Sequence, residues 1–147
     1  MTVLNEELVV RRPLDEVFDL IGDFANAEVW DPGVEESRAI TEGPVRVGST
    51  YELIVVFNGR RLPMTYEVTA YDPPRRVVLR GMGSTVNALD DIRLEATGDG
   101  TRILYTADLR LKGVLRVAEP LLGSRFRDVG RKAMAGMRAA LELEAAS

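Results

Sequence analysis

The sequence predicts an α+β fold in which a curved antiparallel sheet of about seven strands wraps around one long C-terminal helix. Residues 113–146 carry the only sustained helical spacing, with apolar or small side chains on one face and charged side chains on the other. Most of the preceding chain alternates polar with apolar residues, which is typical of strands with one buried face. Neither element can bury its apolar face alone, so the helix must pack on the sheet.

The N-terminal region predicts one strand, over residues 3–11, followed by two short helices. Pro13 has the fixed φ that suits the first position of a helix, and the spacing after it predicts a helix over residues 13–21. Asp23 suits the N-cap of a second helical turn, because its carboxylate can accept hydrogen bonds from free N–H groups. Trp30 then precedes a turn, in the region expected to cover one mouth of a cavity.

Six further strands are predicted, each bounded by turn residues such as Gly, Pro, Asn and Asp. They cover residues 34–41, 49–57, 61–71, 76–82, 85–97 and 101–112. The Asn58-Gly59 dipeptide is a strong signal for a two-residue hairpin between the second and third of them. The chain has no internal repeat, low-complexity segment or linker, so residues 1–147 are expected to form one domain.

Strand alternation gives the sheet an apolar face, and we expect this face to look towards the helix. A curved sheet and a single helix do not fill the space between them, so both are expected to line a ligand cavity. The residues expected to line it lie in the covering loop, on the inner strand face and on the helix stripe: Trp30, Tyr51, Leu53, Val55, Phe57, Met64, Tyr66, Val68, Asp90, Tyr105, Leu109, Leu122, Phe126, Val129 and Ala133.

Asp90 is the polar exception on this inner face. A carboxyl group in an apolar cavity should have a raised pKa and could donate or accept a proton. Tyr66 and Tyr105 share the inner face, so these three residues are the candidates for a catalytic role. The alternative is a β-bulge over residues 89–91, which would turn Asp90 and its neighbour Asp91 outward.

The other assignments have structural alternatives as well. Trp30 could close one end of the core, and the inner tyrosines could be core residues whose hydroxyl groups reach the rim. Gly123, Gly130 and Gly136 are unfavourable inside a helix and could leave room for a ligand or a flexible lid. Alternatively, they allow close packing of helix on sheet, or mark a break after Leu122 that divides the helix.

Several short motifs appear in a familiar order along nearly the whole chain. They are Arg12-Pro13 with Glu16-Val17-Phe18, Trp30-Asp31-Pro32, Val47-Gly48-Ser49, Asp72-Pro73-Pro74-Arg75, Gly100-Thr101-Arg102 and Glu119-Pro120-Leu121. With the order of strands and helices, the chain resembles the helix-grip fold of the Bet v 1/START-like (SRPBCC) superfamily, and more narrowly its polyketide cyclase/dehydrase-like group. A cystatin-like cone is disfavoured because its long helix normally precedes the main strands.

This resemblance implies a fold more sharply than a function. The superfamily includes lipid and sterol carriers, aromatase/cyclases and hormone receptors, and it has no universal catalytic residues to transfer to this chain. It therefore implies a hydrophobic ligand in a cavity between sheet and helix, and it leaves the chemistry open.

Composition removes several classes of function. The chain has no Cys and no His, so we expect no disulfide, no thiolate chemistry and no metal site. No cofactor is expected either. Arginines and aromatic residues are not interleaved on one face, which argues against nucleic-acid binding. There is no signal peptide and no apolar run of the roughly 20 residues that span a bilayer, so we expect a cytoplasmic protein without stable membrane insertion.

Charge is unevenly distributed along the chain. Residues 1–109 hold 11 basic and 19 acidic side chains, whereas residues 110–147 hold 8 and 4. The basic end could attract an acidic ligand, membrane surface or partner, or it could be a solvated helix face.

Three hypotheses follow. The first is a binding protein for a hydrophobic small molecule such as a lipid, an isoprenoid or an aromatic polyketide. The second is a polyketide cyclase or dehydratase that uses Asp90 and a tyrosine to move protons. The third is an interaction module whose basic helix face, with Arg127, Arg131 and Arg138, binds an acidic partner; a homodimer also stays open.

Overall fold

Seven antiparallel strands form one sheet in the computed structural model, which describes residues 2–146 and the side chains of residues 2–142. The strands are β1 (Thr2–Val10), β2 (Val34–Ala39), β3 (Thr50–Phe57), β4 (Arg60–Asp72), β5 (Arg76–Gly83), β6 (Val86–Ala96) and β7 (Thr101–Leu111). Their spatial order is β1-β7-β6-β5-β4-β3-β2, so β1 and β2 form opposite edges. The connection between them carries the two short helices across one end of the sheet.

The short helices are α1 (Leu14–Ile21) and α2 (Ala27–Trp30), with a 3₁₀ turn over Phe24–Asn26 between them. Asp23 caps that turn, since its Oδ1 accepts a hydrogen bond of 3.0 Å from the Ala25 N–H. The prediction of two short helical segments after the first strand is therefore confirmed.

The hairpin predicted from Asn58-Gly59 joins β3 directly to β4. Both residues have positive φ, 54° and 77°, as a two-residue type I′ turn requires. This turn fixes the register of the two strands, so that Tyr51 faces Tyr66 and Leu53 faces Met64 across the pair.

The C-terminal helix begins later than the sequence predicts. Gly113 has φ of 60° and residues Gly113–Ala118 form a 3₁₀ turn, so α3 spans Glu119–Ala146. Glu119 accepts a hydrogen bond of 3.4 Å from the Leu111 N–H, which ties the helix start to the end of β7. The helix continues through Leu122 and Gly123 without interruption, so the alternative of a break after Leu122 is wrong.

The three helix glycines differ in what surrounds them. A Cβ on Gly136 would lie 2.2 Å from the Trp30 carbonyl oxygen and 2.8 Å from Cδ of Pro32, so this glycine permits close packing of α3 on α2. A Cβ on Gly130 would lie 3.3 Å from Leu4, whereas one on Gly123 would meet only the Arg127 side chain. The predicted close packing of helix on sheet is therefore found at Gly130, beside Leu4 of β1, whereas Gly136 packs against α2 instead.

The closed part of the core lies between the sheet, α1, α2 and the second half of α3. Fully buried side chains come from each of these elements, and they include Val17, Ile21, Trp30, Val68, Val77, Leu79, Ile103, Met137 and Leu141. Arg12 adds a polar tie, because its Nη1 donates a hydrogen bond of 2.8 Å to the Leu141 carbonyl. The first half of α3 covers a different region of the concave face, described next.

Candidate ligand cavity

A cavity of about 410 Å³ lies between the concave face of the sheet and the first half of α3. This volume falls within the usual range for small-molecule sites, roughly 300–1,000 Å³. Thirteen of the residues predicted to line a cavity do line it: Trp30, Leu53, Val55, Phe57, Met64, Tyr66, Asp90, Tyr105, Leu109, Leu122, Phe126, Val129 and Ala133.

Tyr51 and Val68 have the predicted inward orientation but do not line the cavity. Both are buried in the closed core. Phe24, on the 3₁₀ turn before α2, lies 6.4 Å from the Tyr51 ring and covers this end of the sheet. Alternation predicts which face a residue occupies, but it does not predict where along the strand the cavity ends, so these two assignments are corrected.

Asp90 points into the cavity, and the predicted alternative of a β-bulge is wrong. The pairing of β6 with β7 runs without a register shift from Val86 to Ala96. Asp90 is only 6% exposed and lines the cavity. Its neighbour Asp91 faces the opposite side of the sheet, where Arg76 donates two hydrogen bonds to it, of 3.1 and 2.9 Å.

Asp90 is hydrogen-bonded to Tyr105. Asp90 pairs with Ala107 across β6 and β7, so Tyr105, two residues before Ala107, is its diagonal neighbour on the same face. The Tyr105 hydroxyl donates a hydrogen bond of 2.5 Å to Asp90 Oδ2. Burial raises the pKa of Asp90 to about 7, although the Tyr105 hydrogen bond acts against this shift and the nearby charge of Asp31 adds to it.

Tyr66 completes the group of candidate catalytic residues predicted from the sequence. Its pKa is raised, first by burial and then by the negative charges of Asp90 and Asp31. Its position depends on Gly81, its partner on β5, because a Cβ there would lie 2.5 Å from the Tyr66 ring. Gly83 likewise leaves room for the sulfur of Met64, so two glycines of β5 make space for two cavity-lining side chains.

Asp31 is the functional candidate that sequence reasoning missed, because it was interpreted only as part of a turn after Trp30. Its Oδ1 accepts a hydrogen bond of 2.8 Å from the Gly33 N–H, and the residue lines the cavity. Burial raises its pKa to about 6, although the Gly33 hydrogen bond lowers it. The available signal was its position directly after Trp30, a residue already placed at the cavity mouth.

A model of the protein family described as polyketide cyclase/dehydrase and lipid transport matches residues 1–142. The chain belongs to this family. No curated protein is similar enough in sequence to count as a relative. The match agrees with the resemblance noted in the sequence and with the sheet, helix and cavity described above.

Solved structures share the fold of this family member at low sequence identity. Protein TTHA0849 of Thermus thermophilus is 17% identical with a TM-score of 0.83, over 99% of each chain. The Zhui aromatase/cyclase of Streptomyces sp. R1128 is 16% identical with a TM-score of 0.80, over 95% of this chain and 93% of the other. A START superfamily protein of Mycobacterium smegmatis is 13% identical with a TM-score of 0.82, over 96% and 97%. The fold is therefore the predicted Bet v 1/START-like helix-grip fold.

In this family member Trp30 both lines the cavity and closes one end of the core. Its ring makes edge contacts with Phe24 and Tyr105, at centroid distances of 6.3 and 6.2 Å. Its buried Nε1 has no hydrogen-bond partner within the described part of the chain. Both interpretations of Trp30 drawn from the sequence therefore describe part of its environment.

At the hairpin end, the rings of Phe57 and Phe126 stack at 4.6 Å and bring the tip of β3 against α3. Outside this pair, a more open depression of about 600 Å³ lies between the hairpin and α3, lined in part by Arg125 and Asp128. Among the residues whose side chains are described, no group of three His, Cys, Asp or Glu could hold a metal ion. No helix in the described residues is long and apolar enough to cross a bilayer.

Proposed function

We propose that the protein binds a hydrophobic small molecule bearing one hydroxyl or carbonyl group in the cavity beneath α3. Lipids, isoprenoids and aromatic polyketides are compounds of this kind. The observation that supports it best is the chemical contrast within the cavity. Most of the lining is aliphatic or aromatic, whereas the carboxyl groups of Asp31 and Asp90 and the hydroxyl groups of Tyr66 and Tyr105 interact as one cluster.

The cluster can bind a ligand oxygen atom whether Asp90 is protonated or ionised. With a pKa of about 7, Asp90 is present both as the acid and as the carboxylate near neutral pH. The acid can donate a hydrogen bond to a ligand carbonyl, and the carboxylate can accept one from a ligand hydroxyl. The apolar lining supplies affinity by burial, while the cluster fixes which end of the ligand enters first.

Two measurements test this function. Native mass spectrometry of freshly purified protein should detect a co-purified apolar compound, and an apolar fluorescent dye should bind and be displaced by it.

A matched pair of probes, naphthalene and 2-naphthol, then tests the polar cluster. We expect 2-naphthol to bind more tightly, and Tyr105→Phe and Asp90→Asn to remove that preference while naphthalene still binds. Failure of every apolar probe to bind would refute the proposal.

A second candidate is a cyclase or dehydratase that moves protons on a keto substrate. The specific observation in its favour is that Asp90 combines a pKa of about 7 with a hydrogen bond to Tyr105 inside the cavity. A general acid or base works best with a pKa near the working pH, and typically contributes a factor of about 10²–10⁴. Asp31, with a pKa of about 6, is a second carboxyl group in the same cavity.

Proton transfer at a carbon between two carbonyl groups separates the two candidates. In deuterium oxide, an aryl β-keto ester exchanges these hydrogens for deuterium, and NMR measures the rate. An enzyme should accelerate this exchange, whereas a carrier should not. The acceleration should disappear in Asp90→Asn, while Asp91→Asn serves as the matched control on the outer face of the same strand. Binding without accelerated exchange would leave the binding function and exclude this proton-transfer chemistry.

A further inference from the structure

We propose that an exposed apolar segment next to the cavity attaches the protein to the surface of an anionic lipid bilayer. The segment comprises residues 113–121, which are the 3₁₀ turn Gly113–Ala118 and the start of α3, and is called the docking segment below. The proposal does not depend on what the cavity binds.

The docking segment presents three apolar side chains almost fully to solvent. Val114 is 89% exposed, Val117 85% and Leu121 82%. Outside the segment, the most exposed large apolar side chain among the described residues is Val47, at 61%. Single exposed apolar residues are normal on protein surfaces, whereas a group of them within one short segment indicates an interaction site.

Along the chain, the charges of residues 110–127 are mostly positive, although Arg110 is ion-paired at 3.4 Å with Asp108, just before this stretch. Residues 110–127 contain five basic side chains and one acidic side chain, Glu119, which is buried. The basic residues precede, interrupt and follow the apolar ones: Arg110, Lys112, Arg116, Arg125 and Arg127. The rest of the chain has an acidic excess, so this end of a protein with net charge −4 is locally basic.

Apolar side chains with a basic surround fit the interface of a bilayer that contains anionic lipids. The apolar groups enter the boundary between headgroups and acyl chains, and the cations are attracted to the negative surface. A second copy of the chain fits less well, because pairing through the same segment would bring two basic surfaces together. The segment is much too short to cross a bilayer, so attachment at the surface is the geometry that fits it.

The docking segment also adjoins the cavity. Leu115, within it, and Leu122, directly after it, both line the cavity, while Val117 and Leu121 point away into solvent. A bilayer in contact with the segment would therefore lie beside the wall of the cavity. This position would allow an apolar compound to pass between bilayer and cavity with little exposure to water.

Vesicle flotation with the full chain tests the proposal. We expect the protein to float with phosphatidylcholine–phosphatidylglycerol vesicles, to bind pure phosphatidylcholine vesicles weakly, and to dissociate as salt is raised. The double substitution Val117→Asp with Leu121→Asp should lower partitioning by at least about tenfold, because it removes two apolar groups and adds two negative charges that the anionic surface repels. The reversal Arg116→Glu should weaken binding to the anionic vesicles in particular.

A matched control uses two exposed apolar residues from another part of the surface. Ile40→Asp with Val47→Asp makes the same chemical change outside the docking segment and should leave partitioning unchanged. Thermal unfolding and dye binding in the cavity should be unaltered in both double variants. Absence of flotation with anionic vesicles, or an equal loss in the control, would overturn the proposal. A change in sedimentation of the docking-segment variant would also overturn it, in favour of a second copy as occupant.

Discussion

The Tyr105 hydroxyl donates a 2.5 Å hydrogen bond to Asp90 Oδ2 within the cavity, across adjacent strands of the sheet. The two side chains are diagonal neighbours on the inner face, so their contact follows from strand register alone. Burial keeps Asp90 partly protonated near neutral pH, and the phenol stabilises the charged form when the proton leaves. The pair therefore gives a mainly apolar cavity a site that can exchange a proton.

Asp90→Asn should stabilise the protein at alkaline pH. The pKa of Asp90 is about 7 in the folded state against an ordinary 3.8, so between about pH 4 and pH 7 the folded state binds more protons than the unfolded state. Stability due to this group therefore falls as pH rises through that interval and stays low above it. At about pH 8 we expect the variant to gain on the order of 3 kcal/mol, and near pH 4 almost nothing, in urea unfolding.

Asp91→Asn is the matched control for that measurement. Burial of Asp91 raises its pKa, but the hydrogen bonds and charge of Arg76 outweigh this and lower it overall. Its contribution is therefore present at neutral pH and lost on acidification, and the substitution should cost no more than about 1 kcal/mol near pH 7. A similar pH profile for both variants would contradict the inward position of Asp90.

Tyr105→Phe should move the titration of Asp90 to higher pH. The Tyr105 hydrogen bond lowers the pKa of Asp90, whereas burial raises it. Loss of the hydrogen bond should therefore raise the pKa further. Carboxyl carbon NMR of labelled protein can follow the titration directly. The variant should also be less stable, by about 1–3 kcal/mol, because the phenol partner of a buried carboxyl group is removed. An unshifted titration would show that the hydrogen bond is absent in solution.

Val129→Trp should fill the cavity without unfolding the protein. Val129 lies on α3 and lines the cavity, so a larger ring at this position can occupy space that a ligand would take. We expect at least about a tenfold loss of affinity for an apolar dye, since much of the buried ligand surface is lost. Val47→Trp, at an exposed position, should bind the dye as the parent does. Equal affinity in the two variants would place the dye elsewhere.

Gly136→Ala and Gly123→Ala should have opposite effects on stability. A Cβ on Gly136 would meet the Trp30 carbonyl oxygen at 2.2 Å, so the change should destabilise the fold by about 1–3 kcal/mol. At Gly123 the nearest atom is the end of the Arg127 side chain, at 3.3 Å, so helix propensity should dominate and stabilise by roughly 1 kcal/mol. Chemical denaturation measures both, and stabilisation by Gly136→Ala would contradict the packing of α3 on α2.

Periodicity predicted the sheet, the long helix and the inner face, because each depends on a repeat that is visible in the sequence. Asp90 was placed correctly because no bulge interrupts the alternation of inward and outward side chains along β6. The ends of the cavity were not predictable in the same way. Tyr51 and Val68 also point inward, yet both are buried in the closed core, where Phe24 lies against the Tyr51 ring.

Asp31, Gly81 and Gly136 show a second limit of periodicity. Their roles depend on segments far apart in sequence coming together: the charge of Asp31 raises the pKa of Asp90, Gly81 lies against the Tyr66 ring, and Gly136 lies against the Trp30 carbonyl. No local pattern encodes such a long-range arrangement. The late start of α3 is a similar case, because only the positive φ of Gly113 and the tie from Leu111 to Glu119 show where the chain turns.

The close approach of Gly136 to Trp30 divides α3 into two parts with different freedom to vary. The second half packs closely against the backbone at Trp30, so the residue at position 136 must stay small. The first half lies over the cavity, so Val129, which lines the cavity, can change size without disturbing the contact between Gly136 and Trp30. The cavity could therefore be reshaped for a different ligand by substitutions in the first half of α3 alone, while the second half is left unchanged as the part that holds the helix in place.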